Sequence, residues 1–284
     1  MEYAPDLRRL YVYASFVKLE HAVFSLPAIF AGALLGMREW PPLRLTLLML
    51  TAAAGARTVA MGLNRLVDVA IDARNPRTRN RELPRAAMQP REAWWIVVIA
   101  CGGYVAAAAA IAPICLRLSA IPVVLFFVYP YLKRVTAFAH LGLGVAWSMG
   151  PVAGWIAAAQ SLSGVTEVAW LWLFSVLWVT GFDIIYATMD EAFDREAGLH
   201  SLPARLGKQP ALRMAALLHA AAFGALCLLW YKQLYTDISL VWLAAIGALF
   251  LWQHLVAARR PEFAFFKLNG AIGFLVLGFI AMGV

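Results

Sequence analysis

The amino-acid sequence predicts an all-α, polytopic membrane protein of about nine transmembrane helices, in two related four-helix units plus a ninth helix. Three observations predict it. Hydrophobic residues make up 63% of the 284 and charged residues only 14%, with a mean hydropathy of +0.73; soluble domains carry roughly 25% charged residues. The apolar residues come in continuous runs spread along the chain, close to the roughly 20 residues that cross a bilayer. Lys and Arg collect in every second loop. Such a composition excludes disorder, collagen and coiled coil, and runs without alternation exclude a β-barrel.

In chain order, the first predicted span is Ser15–Met37, which opens on the polar Lys18, Glu20 and His21. Leu43–Leu63 and Trp94–Ile114 follow, then a short fourth span at Leu118–Tyr131. The fifth and sixth are Leu141–Gln160 and Val168–Met189, and the last three are Ala211–Trp230, Ile238–Ala257 and Ala264–Val284. Together they make one integral-membrane domain over residues 1–284.

On one side lie Arg8, Arg9 and Lys18, the arginines from Arg65 to Arg91, Lys133, Arg134, Arg195, Arg205, Lys208, Arg213, Arg259, Arg260 and Lys267. The other side has only Arg38, Arg44, Arg117 and Lys232, with Arg57 left inside the second span. The positive-inside rule then puts the N-terminus and the basic loops in the cytoplasm and the C-terminus outside. The net charge of +8 is a topology signal and predicts no nucleic-acid partner. No cleavable signal peptide is evident, because the first apolar run starts late, after a mixed-charge amphipathic stretch. Cys101, Cys115 and Cys227 fit no disulfide or zinc spacing and read as packing residues. His140, His200, His219 and His254 have no metal spacing and read as surface or packing residues. Trp147, Trp155, Trp172, Trp178 and Phe182 either line a lipid tunnel or face lipid.

Acids in membrane helices are functional candidates by default, and here they cluster twice. The second helix ends in Asn64, Asp68 and Asp72, the sixth in Asp183, Tyr186, Asp190 and Asp194. Asp68 to Asp190 and Asp72 to Asp194 are both 122 residues apart, and each cluster precedes a basic stretch containing Leu-Pro. That register is the basis for two parallel units. Residues at i, i+4 and i+8 lie within about 80° on a helix, so Asn64, Asp68 and Asp72 share a face. Asp183, Asp190 and Asp194 share one too, since i+7 nearly completes two turns. Carboxylates so crowded repel unless cations join them, and Mg²⁺ binds through one or two carboxylates plus substrate phosphates. One acidic helix end is commonly just solvated; two in matching register favour a Mg²⁺–diphosphate site at the mouth of a bundle.

At these residues the chain resembles the UbiA superfamily of intramembrane prenyltransferases over nearly its whole length. Asn64, Asp68 and Asp72 match the family's Asn-x3-Asp-x3-Asp motif. Asp183, Tyr186, Ala187, Asp190 and Asp194 match its second acidic motif, and Tyr129 with Lys133 its Tyr-x3-Lys motif. Lys18 to Pro27 and Asn64 to Pro84 resemble the 4-hydroxybenzoate polyprenyltransferase-like branch, in particular bacterial members serving futalosine-route menaquinone synthesis (MqnP-like). Val69 departs from the basic residue expected there.

The resemblance implies transfer of a polyprenyl group from polyprenyl diphosphate to an aromatic acid, in a bacterial plasma membrane and surrounded by its lipid. It implies Mg²⁺ held by Asn64, Asp68, Asp72, Asp190 and Asp194, and diphosphate contacts from Lys18, Arg77, Tyr129, Lys133 and Arg134. For Lys18, snorkelling to the interface is the alternative. Asp183, about two turns deeper than Asp190, is implied as the catalytic acid/base, with a hydrogen bond to Tyr186 or backbone as its other reading. Arg57 either pairs with an acceptor carboxylate or balances a nearby Asp. The acceptor is 4-hydroxybenzoate or, alternatively, 1,4-dihydroxy-6-naphthoate; other members of the superfamily prenylate haem, chlorophyllide or glycerol phosphate. A cation-coupled transporter also has intramembrane acids and repeats, but binds near the midplane, whereas these acids sit at helix ends. CDP-alcohol phosphotransferases pack their aspartates into one short segment, unlike the two distant clusters here.

Overall fold

The computed structural model describes residues 5–18 and 22–284 of the chain; for residues 5–8, 10 and 22–24 it describes the backbone alone. Among the described residues eight helices are long and apolar enough to cross a membrane, and Ser25–Met37 is a shorter apolar helix. The expected all-helical, polytopic architecture is therefore present.

The first predicted span is two helices. α1 (Pro5–Val17) is separate from α2 (Ala22–Met37), and Lys18 sits at φ 52, in the left-handed region. Glu20 and His21 lie outside the described residues. α1 is amphipathic and does not cross. Its Val12 and Phe16 pack on Leu83, Met88 and Ala93, and Val69 joins the same apolar cluster. An apolar partner surface thus stands where the branch resemblance led us to expect a basic residue.

α3 (Leu43–Arg74) is 32 residues long, about 48 Å at 1.5 Å per residue, against a hydrocarbon thickness of about 30 Å. Its surplus turns carry Asn64, Asp68 and Asp72 beyond the apolar span on rigid backbone. α4 (Pro90–Ile111) starts with a capping box between Gln89 and Glu92. Ala112 is extended at φ −165 and ψ 155, as a residue before proline prefers. The fourth span therefore begins at Pro113, with α5 (Pro113–Leu118) and α6 (Ala120–Leu132), and is longer than the run Leu118–Tyr131.

α7 (Ala139–Ala159) ends on Gln160 in the left-handed region, and a 3-10 turn at Val165–Val168 leads into α8 (Ala169–Ala187). α8 stops well short of Asp190. The Thr188 hydroxyl donates to Ile185 O at 2.7 Å, a local bond that competes with the helix ladder, and Asp190 stands at the N-terminal boundary of the short α9 (Glu191–Glu196) without a side-chain cap bond. The single face expected for Asp183, Asp190 and Asp194 is thus broken into two elements. α10 (Leu202–Leu206), α11 (Lys208–Gln233) and α12 (Asp237–Ala257) follow. The last span is α13 (Pro261–Phe263), a π-helical turn at Ala264–Leu268 and α14 (Asn269–Ala281).

The long second helix of each unit packs on the third, α3 on α4 and α8 on α11, while α2 and α7 bring the units together. Gly32 and Gly36 on α2 face Pro151 and Trp155 of α7, and Gly150 and Gly154 on α7 face Ile29 of α2, each pair spaced like small residues at close membrane crossings. A Cβ on Gly154 would stand 2.0 Å from Ile29 O, and one on Gly32 1.9 Å from Pro151 O. Gly154→Ala is therefore expected to destabilise the fold by about 1–3 kcal/mol, read as a lower melting temperature in detergent. An unchanged melting temperature would show that the seam can open without cost.

The main core joins α2, α7, α8, α11, α12 and α14 through Leu34, Trp155, Phe174, Trp178, Leu226, Ile246 and Phe279. Cys115 and Cys227 pack against it and Cys101 against another apolar cluster, as expected of packing residues. Polar groups cross-link the second half. Trp178 Nε1–H and Gln253 Nε2–H both donate to Asn269 Oδ1 at 2.9 Å. Gln253 also reaches Ala264 O, and Asn269 Nδ2 reaches Phe265 O, carbonyls of the π-helical turn. His219 Nε2 lies 3.1 Å from Trp178 O and its Nδ1 2.9 Å from His254 Nε2. Donation to the carbonyl assigns the His219 proton to Nε2 and makes Nδ1 the acceptor. These histidines are more than packing residues: each bond satisfies a group that would cost several kcal/mol unpaired in hydrocarbon.

Candidate active site

The first acidic cluster rises along one face of α3. Asp68 and Asp72 are buried, and Asn64 Nδ2–H donates weakly to Asp68 Oδ2 at 3.4 Å. Lys133, at the end of α6, pairs with Asp68 Oδ2. Arg134 approaches Asp68 Oδ1 at 3.6 Å and donates to Val67 O at 2.6 Å. Arg81 makes both of its bonds to Asp72, at 2.8 and 3.0 Å. The Tyr129 hydroxyl lies 3.4 Å from Ala60 O and bonds the Asn64 side chain, with Asp68 and Asp183 both in electrostatic range.

The second cluster is joined to the first by the loop after α3. Asn75 makes a local turn, its Oδ1 accepting from the Arg77 N–H at 2.9 Å, and its Nδ2–H donates to Asp190 Oδ1 at 2.9 Å. Arg77 grips both Asp190 oxygens and the Tyr186 hydroxyl, with its guanidinium 4.7 Å from the Tyr186 ring centre. Burial opposes the Arg77 charge, but Asp190 and Tyr186 outweigh it and hold the guanidinium above its ordinary range. Phe265 of the π-helical turn backs Tyr186, ring to ring at 4.3 Å. Asp194 accepts from Ser201; burial pushes its carboxyl above the usual range, the Ser201 bond opposes this and the charge of Asp190 reinforces it.

Of the sequence-predicted residues, Asn64, Asp68, Asp72, Asp190 and Asp194 stand at one face of the bundle, interleaved with Arg77, Tyr129, Lys133 and Arg134. Lys18 stands in electrostatic range of Glu82. Asp183 remains in α8, where His140 Nδ1 lies 2.6 Å from its Oδ2. Three partners were missed in the sequence. Arg65 and Arg81 looked like two more topology arginines, but Arg65 is buried against Glu82 and Arg81 holds Asp72. His140 is a surface or packing residue by spacing alone, because its partner is 43 residues away.

Among the described residues, no three His, Cys, Asp or Glu side chains stand close enough to hold a metal by themselves. The donor set still fits a hard cation completed by phosphate oxygens. It is all oxygen, and Asp68 Oδ1 is buried without a hydrogen bond.

Beneath the acids lies a cavity of about 280 Å³. Ala53, Arg57, Ala60 and Met61 line it from α3, on the helix stripe that continues into Asn64 and Asp68. Alanines keep that wall thin. Phe126 and Tyr129 close it from α6 and Trp147 and Gly150 from α7. Among the described residues Arg57 is the one charged side chain on the wall, about 10 Å below Asn64 by helix rise.

The profile of the UbiA prenyltransferase family matches residues 25–279. The 4-hydroxybenzoate octaprenyltransferase of Vibrio cholerae serotype O1 is 28% identical over 281 residues, covering 96% of this chain and 97% of the relative. That of Coxiella burnetii is 29% identical over 240 residues, covering 83% and 82%. The apo structure of a UbiA homolog from Aeropyrum pernix K1 is 34% identical, with a TM-score of 0.85 over 92% of this chain and 97% of the other. A UbiA homolog from Archaeoglobus fulgidus, solved with GPP and Mg²⁺, shares the fold at 18% identity, with a TM-score of 0.72 over 96% and 100%.

Proposed function

The chain belongs to the UbiA prenyltransferase family, and on that footing we propose that it transfers a polyprenyl group from polyprenyl diphosphate to 4-hydroxybenzoate in quinone biosynthesis. The observation that carries this reading is the meeting of two acidic clusters, interleaved with cations, above an apolar chamber with one arginine in its wall. Relatives spanning almost the whole chain are named 4-hydroxybenzoate octaprenyltransferase. Archaeal homologs of the same fold bind GPP or DMAPP with Mg²⁺. The enzyme sits in the plasma membrane of a bacterium, with the N-terminus and the acidic face cytoplasmic, as the basic loops favour.

In this reading Asn64, Asp68, Asp72, Asp190 and Asp194 hold Mg²⁺, which supplies positive charge to the departing diphosphate. Lys133, Arg134 and Arg77 contact phosphate oxygens, supported by Tyr129 and by Lys18 at the rim. Preorganised cations stabilise charge that develops on the leaving group. The allylic C–O bond breaks with its electron pair going to diphosphate, and the ring carbon ortho to the phenol bonds to the allylic carbon. Asp183 receives the ring proton as aromaticity returns. The apolar wall keeps out water that would trap the allylic cation as an alcohol. Arg57 receives the acceptor carboxylate at the chamber floor.

The test is purified protein in detergent with Mg²⁺ and farnesyl diphosphate, offered 4-hydroxybenzoate and 1,4-dihydroxy-6-naphthoate together, with products identified by mass spectrometry. A prenylated hydroxybenzoate supports the reading. Prenylation of the naphthoate alone would replace the acceptor, and absence of any prenylated ring with folded protein would end the proposal. Arg57→Leu is expected to raise the acceptor KM by about 10–100-fold, the loss of a charge-assisted hydrogen bond, with the donor KM unchanged. A donor KM that rose equally would place Arg57 on the diphosphate side.

A further inference from the structure

His140 has no assigned part in this chemistry, yet it joins the proposed base to the donor side. It is buried at the start of α7. Its Nε2 lies 3.2 Å from the Leu202 peptide N–H. That N–H belongs to the first turn of α10, where helix N–H groups have no intrahelical acceptor, so Nε2 must offer its lone pair. A neutral imidazole with a lone pair on Nε2 carries its proton on Nδ1. Nδ1–H therefore donates to Asp183 Oδ2 across 2.6 Å.

The segment that fixes this tautomer is anchored on the donor site. The His200 N–H donates to Lys133 O at 2.7 Å, and Ser201 bonds Asp194 while capping α10 through the Ala204 N–H. Three consecutive residues thus touch the residue that holds Asp68, an acid of the second cluster, and the imidazole on Asp183.

We propose that His140 is a positioning residue for the ring-proton acceptor: clamped by the Leu202 N–H, it donates from Nδ1 to Asp183 and holds that carboxylate in one orientation. The proposal rests on the reading of Asp183 as the base. As the allylic carbon bonds to the ring, the ring C–H bond breaks, its electron pair restores the aromatic system and the proton goes to Asp183. The proton passes to solvent when product leaves.

The experiment uses the full chain in detergent with Mg²⁺, farnesyl diphosphate and 4-hydroxybenzoate, protiated or deuterated at both positions ortho to the hydroxyl. His140→Leu is expected to lower kcat by about 10–100-fold, a share of what a general base contributes, with the donor KM unchanged. Ring-proton removal then limits turnover, so the ring-deuterium isotope effect on kcat rises above the parent's. His140→Asn, whose amide N–H takes the place of Nδ1–H, should recover most of the rate and lose the extra isotope effect. His140→Gln, whose amide overlays Nε2 and not Nδ1, should keep it and serves if the leucine variant does not fold. Parent-like kcat in His140→Leu, a slow leucine variant without a larger isotope effect, or asparagine no better than leucine would each overturn the proposal. Asp183→Asn separates the two readings: parent-like turnover there removes the base itself, whereas loss there with an insensitive His140 removes only the positioning role.

Discussion

Asp68→Asn should abolish prenyl transfer, lowering kcat by about 10²–10³-fold or more, the scale of losing one preorganised electrostatic contact in a reacting site. The substitution keeps the side-chain shape and removes the charge at the most enclosed position of the first cluster, where Lys133, Arg134 and Asn64 all converge. Lys133 is itself 30% exposed, so losing its counter-charge leaves it able to reach water and the bundle stays folded. Product formation by mass spectrometry, donor binding with and without Mg²⁺ and the melting temperature separate these effects. Parent-like turnover in a folded variant would remove the first cluster from the chemistry. Lost turnover with Mg²⁺-dependent donor binding intact would move Asp68 from holding the metal to orienting Lys133.

The second large effect concerns stability. Arg65 and Glu82 form a buried ion pair, with side chains 4% and 6% exposed, and Ser15 of α1 donates to Glu82 Oε1 at 2.6 Å. Phe16 lies against the guanidinium. Arg65→Met leaves a buried carboxylate without its counter-charge, which costs about 3–5 kcal/mol. Arg65→Met with Glu82→Leu should return most of that loss, because an apolar pair of similar volume is tolerated where half a pair is not. Thermal melting in detergent is the readout, and equal melting temperatures for the single and double variants would refute the pair's role. Burial pushes the Glu82 carboxyl up, but the Ser15 hydroxyl and Arg65 outweigh it and hold it below the usual range. A carboxyl lowered in the folded state adds stability above its unfolded pKa and loses it as pH falls through the folded one. Acidification through that window should therefore lower the parent's melting temperature more than that of Arg65→Met.

How far these features could be read from the sequence follows from the range of the interaction involved. Asn64, Asp68 and Asp72 were legible because α3 runs unbroken through them, so spacing translates directly into a shared face. The same arithmetic failed for Asp183, Asp190 and Asp194, because α8 ends at Ala187 and a separate short helix starts after Asp190. Hydropathy located the spans but misplaced the third and fourth, whose boundary is a backbone preference before Pro113. It also merged α1 into the first span, since an amphipathic helix and a membrane entry look alike when the apolar run is continuous. Arg81 and Arg65 sit in a basic stretch that topology already explains, and only tertiary contact separates a clamp from a loop charge. His140 carried no local signal at all.

The walls of the chamber come only from α2 to α7, whereas the polar cross-links join α8, α11, α12 and the last span. The hollow half of the molecule is the first unit together with α7, and the braced half is the rest of the second unit with the last span. Substitutions that widen, narrow or lengthen the hollow half need not disturb any of these cross-links. The hollow and the frame are thus set by different residues, so that one can be reshaped without loosening the other.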